Sequence, residues 1–486
     1  MAALVGLAGP VQGGEWKELR GKQFTIVSDA TDGEIRESAA RLADAAYILD
    51  HLVLEDASWR KPLTVVLFSD QVELQPYLPL VAPGETIDDV VQERDTVTSN
   101  ESGSAPDWYA IAACASVNYS REATVSVTFG AVNWYLKGLD FPVPRAIRSG
   151  LGRVVGTLYR DSHHAVLGQP PPGYRSILYH TLPIPVHELL TERNFRGVIL
   201  AGRRVTNTVE SWALVHYLMF DPGCAARHSF RQFMDALSRN ETPDQALVAA
   251  LGPADAANID ALLREHVRGV VYAGRIPMPP EVERLGPITP ADEATVQMAL
   301  TRAALNGRRD SALAHVDAAI AAAPQNPECL ALKAEALSIL GRPPAQVRQA
   351  VAAAIARGSQ DSWIYFSAAR TRRREAGDHA SPEEIRAIIR LAEHSAKANY
   401  NFRPAFDLIA QCLWRCPPRP NDSSFMNFAR TRFPSDRWIL VGQAAIARAH
   451  GDQDGAARLL AQARGSDPVL SPSQLPDVVS FISLRQ

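Results

Sequence analysis

Two short stretches near the start of the chain, Phe24-Thr-Ile-Val-Ser28 and Leu63-Thr-Val-Val-Leu-Phe68, each predict a β-strand because β-branched and aromatic residues dominate them. Between them, Thr31 and Glu34 have the spacing of a capping box, which marks the start of a helix. Apolar residues then recur at helical intervals of three and four. They are Ile35, Ala39, Leu42, Ala46 and Leu49. This strand–helix–strand order predicts an α/β or α+β domain.

The rest of the N-terminal half is predicted to be mainly helical. Polar residues at about 80–106 indicate a long loop, and two further short strands are expected at 109–112 and 117–119. Helical patterns then cover 123–139, 146–159, 209–220, 229–237, 243–251 and 256–267. The Pro-rich stretch 277–290 is interpreted as a linker that follows a domain of residues 16–276.

Beyond the linker the sequence is rich in alanine and repeats itself. The first unit contains Gly307, Ala312, Ala319 and Pro324, and the last contains, at the same spacings, Gly451, Ala456, Ala463 and Pro468. This pattern resembles the tetratricopeptide repeat, in which a glycine turn joins two helices that pack through small residues. The resemblance covers about 293–468 and is degenerate between about 361 and 434. It implies an all-α repeat domain at 291–470 with about five helix pairs, followed by a tail at 471–486. An unrelated Ala-rich bundle is the alternative.

Composition and charge narrow the function classes. The 486 residues carry a formal net charge of −3, so no nucleic-acid partner is expected. No stretch has the length and apolarity of a transmembrane segment. Residues 1–15 are apolar and small, which fits either a signal-peptide remnant or an unstructured leader. The compartment stays open, and an exported protein is favoured only if the true start lies upstream.

A second resemblance rests on the order and spacing of several segments. They are Thr128–Leu136, Arg145–Gly152, Gly168–Pro170, Ile184–Leu190 and Ser211–Leu218. Together with the opening strands and helix, they resemble the bacterial peptidase-MA-like gluzincins, which are often fused to tetratricopeptide repeats. The resemblance implies a zincin-like α+β fold for residues 16–276, and therefore a mainly α protein overall. Active members carry H-E-x-x-H on one helix and a Glu-Gly pair on the next.

The four functional positions of that family are not suited to catalysis in this chain. The resemblance matches the first zinc histidine to Phe129, the catalytic glutamate to Gly130, the second histidine to Asn133 and the third ligand to Ser149. Zinc peptidases need histidine and carboxylate ligands and a glutamate base there, so neither a cofactor nor peptidase activity is expected. The alternative is that these residues are an ordinary core stripe. Gly130 favours a lost site, because an interior helical glycine is unfavourable and has no evident local use.

Other chemistry-bearing residues are weaker candidates. His163 and His164 are expected in a solvated loop, and His187 with Glu188 on the surface. Cys412 and Cys416 are expected to be buried free thiols. A basic cluster beside an aromatic residue is a candidate patch for binding a partner. It consists of Trp363, Arg370, Arg372, Arg373 and Arg374.

These observations predict a non-catalytic, pseudopeptidase-like domain joined to a repeat scaffold that binds a protein or peptide partner. Two alternatives stay open: an active hydrolase with an unrecognised site, and a purely structural repeat protein whose N-terminal domain is a cap. A chain that ends near Pro290 is expected to fold on its own.

Overall fold

The computed structural model describes most of the chain. The described residues are 15–22, 24–53, 63–77, 109–114, 127–137, 139, 141, 143–161, 163–171, 173–180, 184–191, 203–239, 241–269, 273–279, 285–306, 310–377, 379–433 and 436–465. The leader at 1–14, the predicted loop at 80–106, the predicted strand at 117–119, Gly307, Pro468 and the tail at 471–486 lie outside them. None of the described helices combines the length and apolarity that crossing a bilayer requires.

The described part is mainly helical, with a mixed sheet near the N-terminus. The strands are β1 (Lys17–Arg20), β2 (Phe24–Ser28), β3 (Leu63–Phe68), β4 (Tyr109–Cys114), β5 (Tyr159–Arg160), β6 (His164–Leu167), β7 (Gly274–Pro277) and β8 (Ile288–Pro290). The helices of the N-terminal unit are α1 (Asp32–Leu52), α2 (Gln71–Leu74), α3 (Val127–Lys137), α4 (Arg145–Gly156), α5 (Tyr174–His180), α6 (Val186–Thr191), α7 (Arg203–Phe220), α8 (Pro222–Ala226), α9 (Ser229–Ser238), α10 (Pro243–Leu251), α11 (Pro253–Ala257) and α12 (Ile259–Arg268). The helices that follow are α13 (Glu293–Asn306), α14 (Ser311–Ala322), α15 (Pro327–Ile339), α16 (Pro344–Ala356), α17 (Ser362–Ala376), α18 (Pro382–Ala398), α19 (Arg403–Leu413), α20 (Pro420–Arg432), α21 (Arg437–Ala449) and α22 (Gln453–Gly465).

The main sheet has the strand order β4-β3-β2-β1-β8. Strands β2, β3 and β4 are parallel, whereas β1 runs antiparallel to both β2 and β8. The predicted capping box is confirmed: the Thr31 hydroxyl accepts a hydrogen bond from the Glu34 amide, and the Glu34 carboxylate accepts one from the Thr31 amide. The strand–helix–strand opening predicted from the sequence is therefore present.

Both faces of this sheet are covered, which explains why every residue of β3 is buried. Because side chains alternate along a strand, Val65 and Leu67 join the core formed with α1 and α3. Val66 and Phe68 point to the opposite face and pack against α13. A strand buried on both sides needs a continuous apolar sequence, and Leu63–Phe68 has one.

A second, three-stranded antiparallel sheet has the order β5-β6-β7. It adjoins the first core: Arg160 of β5 donates a hydrogen bond of 3.0 Å to the Asp44 carboxylate of α1. β7 ends at Pro277, the first residue of the stretch predicted as a linker, and β8 lies within that stretch and joins the main sheet. Proline is tolerated there because Pro277 and Pro290 stand at strand ends.

Helices α13–α22 follow one another along the chain, and α13 packs on α14, α15 on α16, α17 on α18 and α21 on α22. Ala312, Ala319 and Ala456, the small residues of the repeat pattern, are buried where the helices approach each other. The turn glycine Gly451 has a φ of +84°, a left-handed conformation that favours glycine. Within the degenerate stretch, α19 packs on α18 and α21, and α20 lies beside α19 and α21.

The N-terminal unit and the helical array share a continuous core. Val27, Val66 and Phe68 of the sheet pack with Val296 and Leu300 of α13. The sequence predicted a linker at 277–290 between the two parts of the chain. In the structure the second face of the sheet is covered by the first helices of the array. This cover removes a large apolar surface from water.

Polar contacts lie at the edge of this shared core. The Arg302 guanidinium of α13 donates to the Thr64 hydroxyl of β3 at 3.3 Å. The His315 Nδ1–Gln297 Oε1 distance of 2.7 Å makes Nδ1 the donor, so Nε2 accepts from the Tyr77 hydroxyl at 3.2 Å. Burial raises the pKa of Tyr77 to about 12, which keeps this hydroxyl protonated as the donor.

Candidate functional site

The positions that the resemblance matches to zinc ligands and a catalytic glutamate lie on α3 and α4, which pack against each other. Asn133 and Ser149 are both buried. Phe129 lies on α3, and its side chain is outside the described part. Within the described residues, no group of three or more histidine, cysteine, aspartate or glutamate side chains is arranged to hold a metal ion. The arrangement offers buried neutral side chains, which have little affinity for zinc.

Gly130 has a local structural reason that the sequence did not reveal. A Cβ at this position would lie 2.6–2.9 Å from three carbon atoms of the Ile111 side chain on β4. The glycine therefore allows α3 to approach the sheet closely. The sequence interpretation, which took the glycine as a sign of a lost site, is wrong on this point because the neighbour comes from a distant strand.

We expect Gly130→Ala to lower the free energy of unfolding by up to about 2 kcal/mol. Forcing a methyl group against a packed side chain costs about 1–3 kcal/mol, and the better helix propensity of alanine returns about 1 kcal/mol. Chemical denaturation measures the difference. Gly33→Ala is the matched control, because this helical glycine has no atom within 4 Å of an added Cβ.

The explanation is tested further by the Gly130→Ala, Ile111→Ala double variant. Removing the Ile111 side chain beyond Cβ also removes the three atoms that the new methyl group would meet. The two changes should therefore be less damaging together than the sum of the single changes. Strict additivity would show that Gly130 does not owe its place to Ile111.

The other sequence candidates are dispersed. His163 is exposed. His187 is also exposed and forms an ion pair of 2.9 Å with Asp244, and the hydrogen bond raises the His187 pKa. Cys412 and Cys416 are buried free thiols, as predicted. Burial raises the pKa of Cys412 to about 11, which keeps this thiol protonated and unreactive.

Two groups of buried titratable residues were not predicted. Both oxygens of Glu210 on α7 accept from the Ile184 amide, at 3.0 and 2.9 Å, and hold the segment before α6. Desolvation raises the Glu210 pKa to about 7. His216 Nδ1 of α7 lies 2.9 Å from His266 Nε2 of α12, and burial lowers the His266 pKa.

Asp221 extends this second group, with Oδ2 3.6 Å from His266 Nδ1. An Asp–His–His chain could in principle activate a nucleophile, but the nearby Cys224 is fully buried and burial raises its pKa. That is the opposite of an activated thiol. We therefore interpret both groups as structural cross-links between helices.

The basic cluster on α17 is only partly available to a partner. Trp363 is 2% exposed and belongs to the core, so its assignment to a surface patch is wrong. Arg373 donates to the Gly377 carbonyl at 2.9 Å and closes the end of its own helix. Burial, with the neighbouring Arg374, lowers the pKa of Arg370. Arg372 and Arg374 are exposed, but Trp363 is buried and therefore does not lie on the surface beside them.

A different aromatic and basic surface lies on α18 and α20. Tyr400 is 51% exposed and Phe428 is 43% exposed, and their rings meet edge-on with centroids 5.2 Å apart. Phe425 is half-buried beside them, with Lys397 Nζ 5.6 Å from its ring centre. Arg432 Nε donates to Asn401 Oδ1 at 2.9 Å, next to Tyr400. We call these residues, Lys397, Tyr400, Phe425, Phe428 and Arg432, the aromatic–basic surface.

The sequence contained a signal for this surface. In α20, Met426 and Ala429 are fully buried, whereas Phe425 and Phe428 stand one position earlier on the helix. A helix that carries two apolar pairs offset by one residue cannot bury both equally.

No family model, curated protein or solved structure matches this chain.

Proposed function

We propose that this protein is a non-catalytic scaffold that binds a protein or peptide partner through its helical array. The observation that carries the proposal is the exposed pair Tyr400 and Phe428 on the array. Large aromatic side chains contribute most when they are removed from water, and they are frequent at the centres of protein interfaces. Two of them exposed in contact with each other are therefore suited to docking.

The surface is also supported from below. The Phe428 ring lies 6.1 Å from that of Phe406, which is fully buried and packs with Phe433. A contact surface held in place before binding loses less side-chain freedom on association. The described packing therefore favours binding without rearrangement of the array.

We further propose that the N-terminal unit is a peptidase-MA-like domain without catalytic function and that the array is of the tetratricopeptide type. The residues at the four matched positions support the first part, because none supplies a zinc-type ligand. The packed pairs α13–α14, α15–α16, α17–α18 and α21–α22, with small residues buried in them, support the second. Gly130 does not support the first part, because its close packing against Ile111 explains why a glycine stands there.

A second candidate function is purely structural, with the N-terminal unit acting as a cap of the array. The specific observation in its favour is that the sheet packs directly on α13 and shares a core with α15. A cap of this kind removes the apolar end surface that a repeat array otherwise exposes. The two functions differ in what the aromatic–basic surface does.

We expect the Tyr400→Ala, Phe428→Ala double variant to lose specific partners at least tenfold relative to the wild-type chain, because interface aromatics are frequent hot spots. The measurement is quantitative affinity capture with the full chain as bait in an extract of the source organism. Tyr159→Ala, Tyr179→Ala is the matched control, since these tyrosines are 49% and 52% exposed on the N-terminal unit. Equal capture by wild type and the Tyr400, Phe428 variant would favour the structural role.

A further inference from the structure

We propose that the aromatic–basic surface binds an acidic peptide segment that packs one aromatic or aliphatic side chain against Tyr400 and Phe428. This inference rests on the proposed function and specifies the chemistry of the partner. The occupant is a segment of another protein, because the surface combines exposed rings with an excess of positive charge.

Three aromatic rings form the apolar part of the surface. Tyr400 follows α18, and Phe428 stands at the middle of α20, so the two rings come from different elements. Phe425 lies one turn before Phe428 and is half-buried. Three neighbouring rings provide an apolar contact for one side chain, and an edge-on arrangement leaves ring faces open to it.

Lys397 and Arg432 form the charged part of the surface. Lys397 is exposed, and its Nζ lies 5.6 Å from the centre of the Phe425 ring. The Arg432 guanidinium lies 5.5 Å from the ring of the buried Phe433, and its Nε donates to Asn401, the residue that follows Tyr400. Lys397 therefore lies against a ring of the surface, and Arg432 is bonded to the segment that carries Tyr400. A carboxylate on either side of the anchor would meet a cation, which favours encounter and fixes the orientation of the segment.

The carboxylates near Lys397 and Arg432 offset little of that charge, because Glu383 and Glu384 stand in the first turn of α18, at the opposite end of the helix from Lys397. The only acidic residue of α20 is Asp422, which is 2% exposed and paired with Arg386. The exposed side of α20 otherwise carries the neutral residues Asn421, Ser424, Asn427 and Thr431. On α18, Glu393 lies one turn before Lys397, but it is half-buried, and Arg386 and Arg390 also act on it. The surface therefore has a net positive charge and attracts acidic segments.

The probe is an unbiased phage-displayed peptide library, selected on the wild-type full-length protein and counter-selected on Phe428→Ala. We expect enrichment of peptides in which Asp or Glu flanks one Phe, Trp, Leu or Ile. The affinities of the synthesised winners, measured by fluorescence polarisation, should fall about tenfold for Phe428→Ala and about tenfold for Lys397→Glu. They should also weaken as salt is raised, because the charges are exposed.

Arg374→Glu is the matched control, since it makes the same charge change at an exposed arginine of α17. An equal loss with this variant would show general attraction rather than a site and would overturn the inference. Thermal unfolding of each variant confirms that the fold is retained.

The outcomes separate the inference from the proposed function. Peptides that depend on Phe428 but carry no acidic residues overturn the inference and leave the proposed function standing. A library that yields no Phe428-dependent peptide overturns the inference, and the affinity-capture comparison of wild type with the Tyr400, Phe428 variant then decides the proposed function. The inference also fails if the site opens only on deletion of residues 466–486, or if Phe428→Ala abolishes a concentration-dependent dimer. Those results would assign the surface to the chain's own C-terminal segment or to a second copy.

Discussion

A chain that ends after Pro290 is expected to lose cooperative folding. Such a chain lacks α13, so the sheet face with Val27, Val66 and Phe68 would be exposed, together with Tyr77, whose ring stacks on Phe68. Each large buried side chain stabilises by about 1.5–3 kcal/mol, which for four of them gives about 6–12 kcal/mol. That is comparable to the roughly 5–15 kcal/mol by which whole domains are stable. The sequence-based expectation that residues up to Pro290 fold alone is therefore reversed.

Denaturant titration and size-exclusion chromatography measure the effect. The matched control is a chain that ends after Gly358, which keeps α13–α16 and therefore the cover over the sheet. We expect the control to unfold in a cooperative transition and the shorter chain to aggregate or to bind apolar dyes. A cooperative, monomeric chain of residues 1–290 would contradict the shared core.

The second large effect is expected for Asp422→Ala, which should lower the free energy of unfolding by about 3–5 kcal/mol. The Arg386 Nη1–Asp422 Oδ2 distance is 2.7 Å, and the two side chains are 8% and 2% exposed. Arg386 also donates to the Pro417 carbonyl. Removing the carboxylate leaves a buried guanidinium without its counter-charge, which is far more costly than losing a pair in water.

Two controls isolate burial as the cause. Asp317→Ala breaks the Lys333–Asp317 pair, which has the same 2.7 Å separation but is largely exposed, so the loss should stay below about 1 kcal/mol. Replacing both partners, Arg386→Met with Asp422→Leu, should restore much of the stability, because no charge is then left buried. Equal losses for Asp422→Ala and Asp317→Ala would contradict the argument. Since Asp422 is on α20, its loss should also weaken binding at Phe428.

The parts of the fold that the sequence predicted correctly are those with local signals. The capping box at Thr31 and Glu34 and the apolar stretch Leu63–Phe68 each lie within a few residues, so one window of sequence contains the whole cause. Segments with such signals form the same elements wherever the rest of the chain lies.

The features that the sequence did not predict depend on contacts between distant residues. The β1–β8 pairing joins residues from opposite ends of the N-terminal unit, and Gly130 is explained only by Ile111. The predicted binding patch with Trp363 was wrong for a related reason. Trp363 lies on the buried face of α17, whereas Phe428 on α20 is exposed. Which side of a helix faces the core is set by its neighbours, and a single helical pattern does not contain that information.

The pairing of β8 with β1 and the cover provided by α13 have a consequence for synthesis on the ribosome. Domains generally fold in order as they emerge, starting from the N-terminus. Here the N-terminal unit cannot complete its sheet until the residues of β8 and α13 have left the exit tunnel. Until then, the nascent chain presents an unpaired strand edge and an apolar sheet face, which are binding sites for chaperones. The first helix of the array thus completes the domain that precedes it.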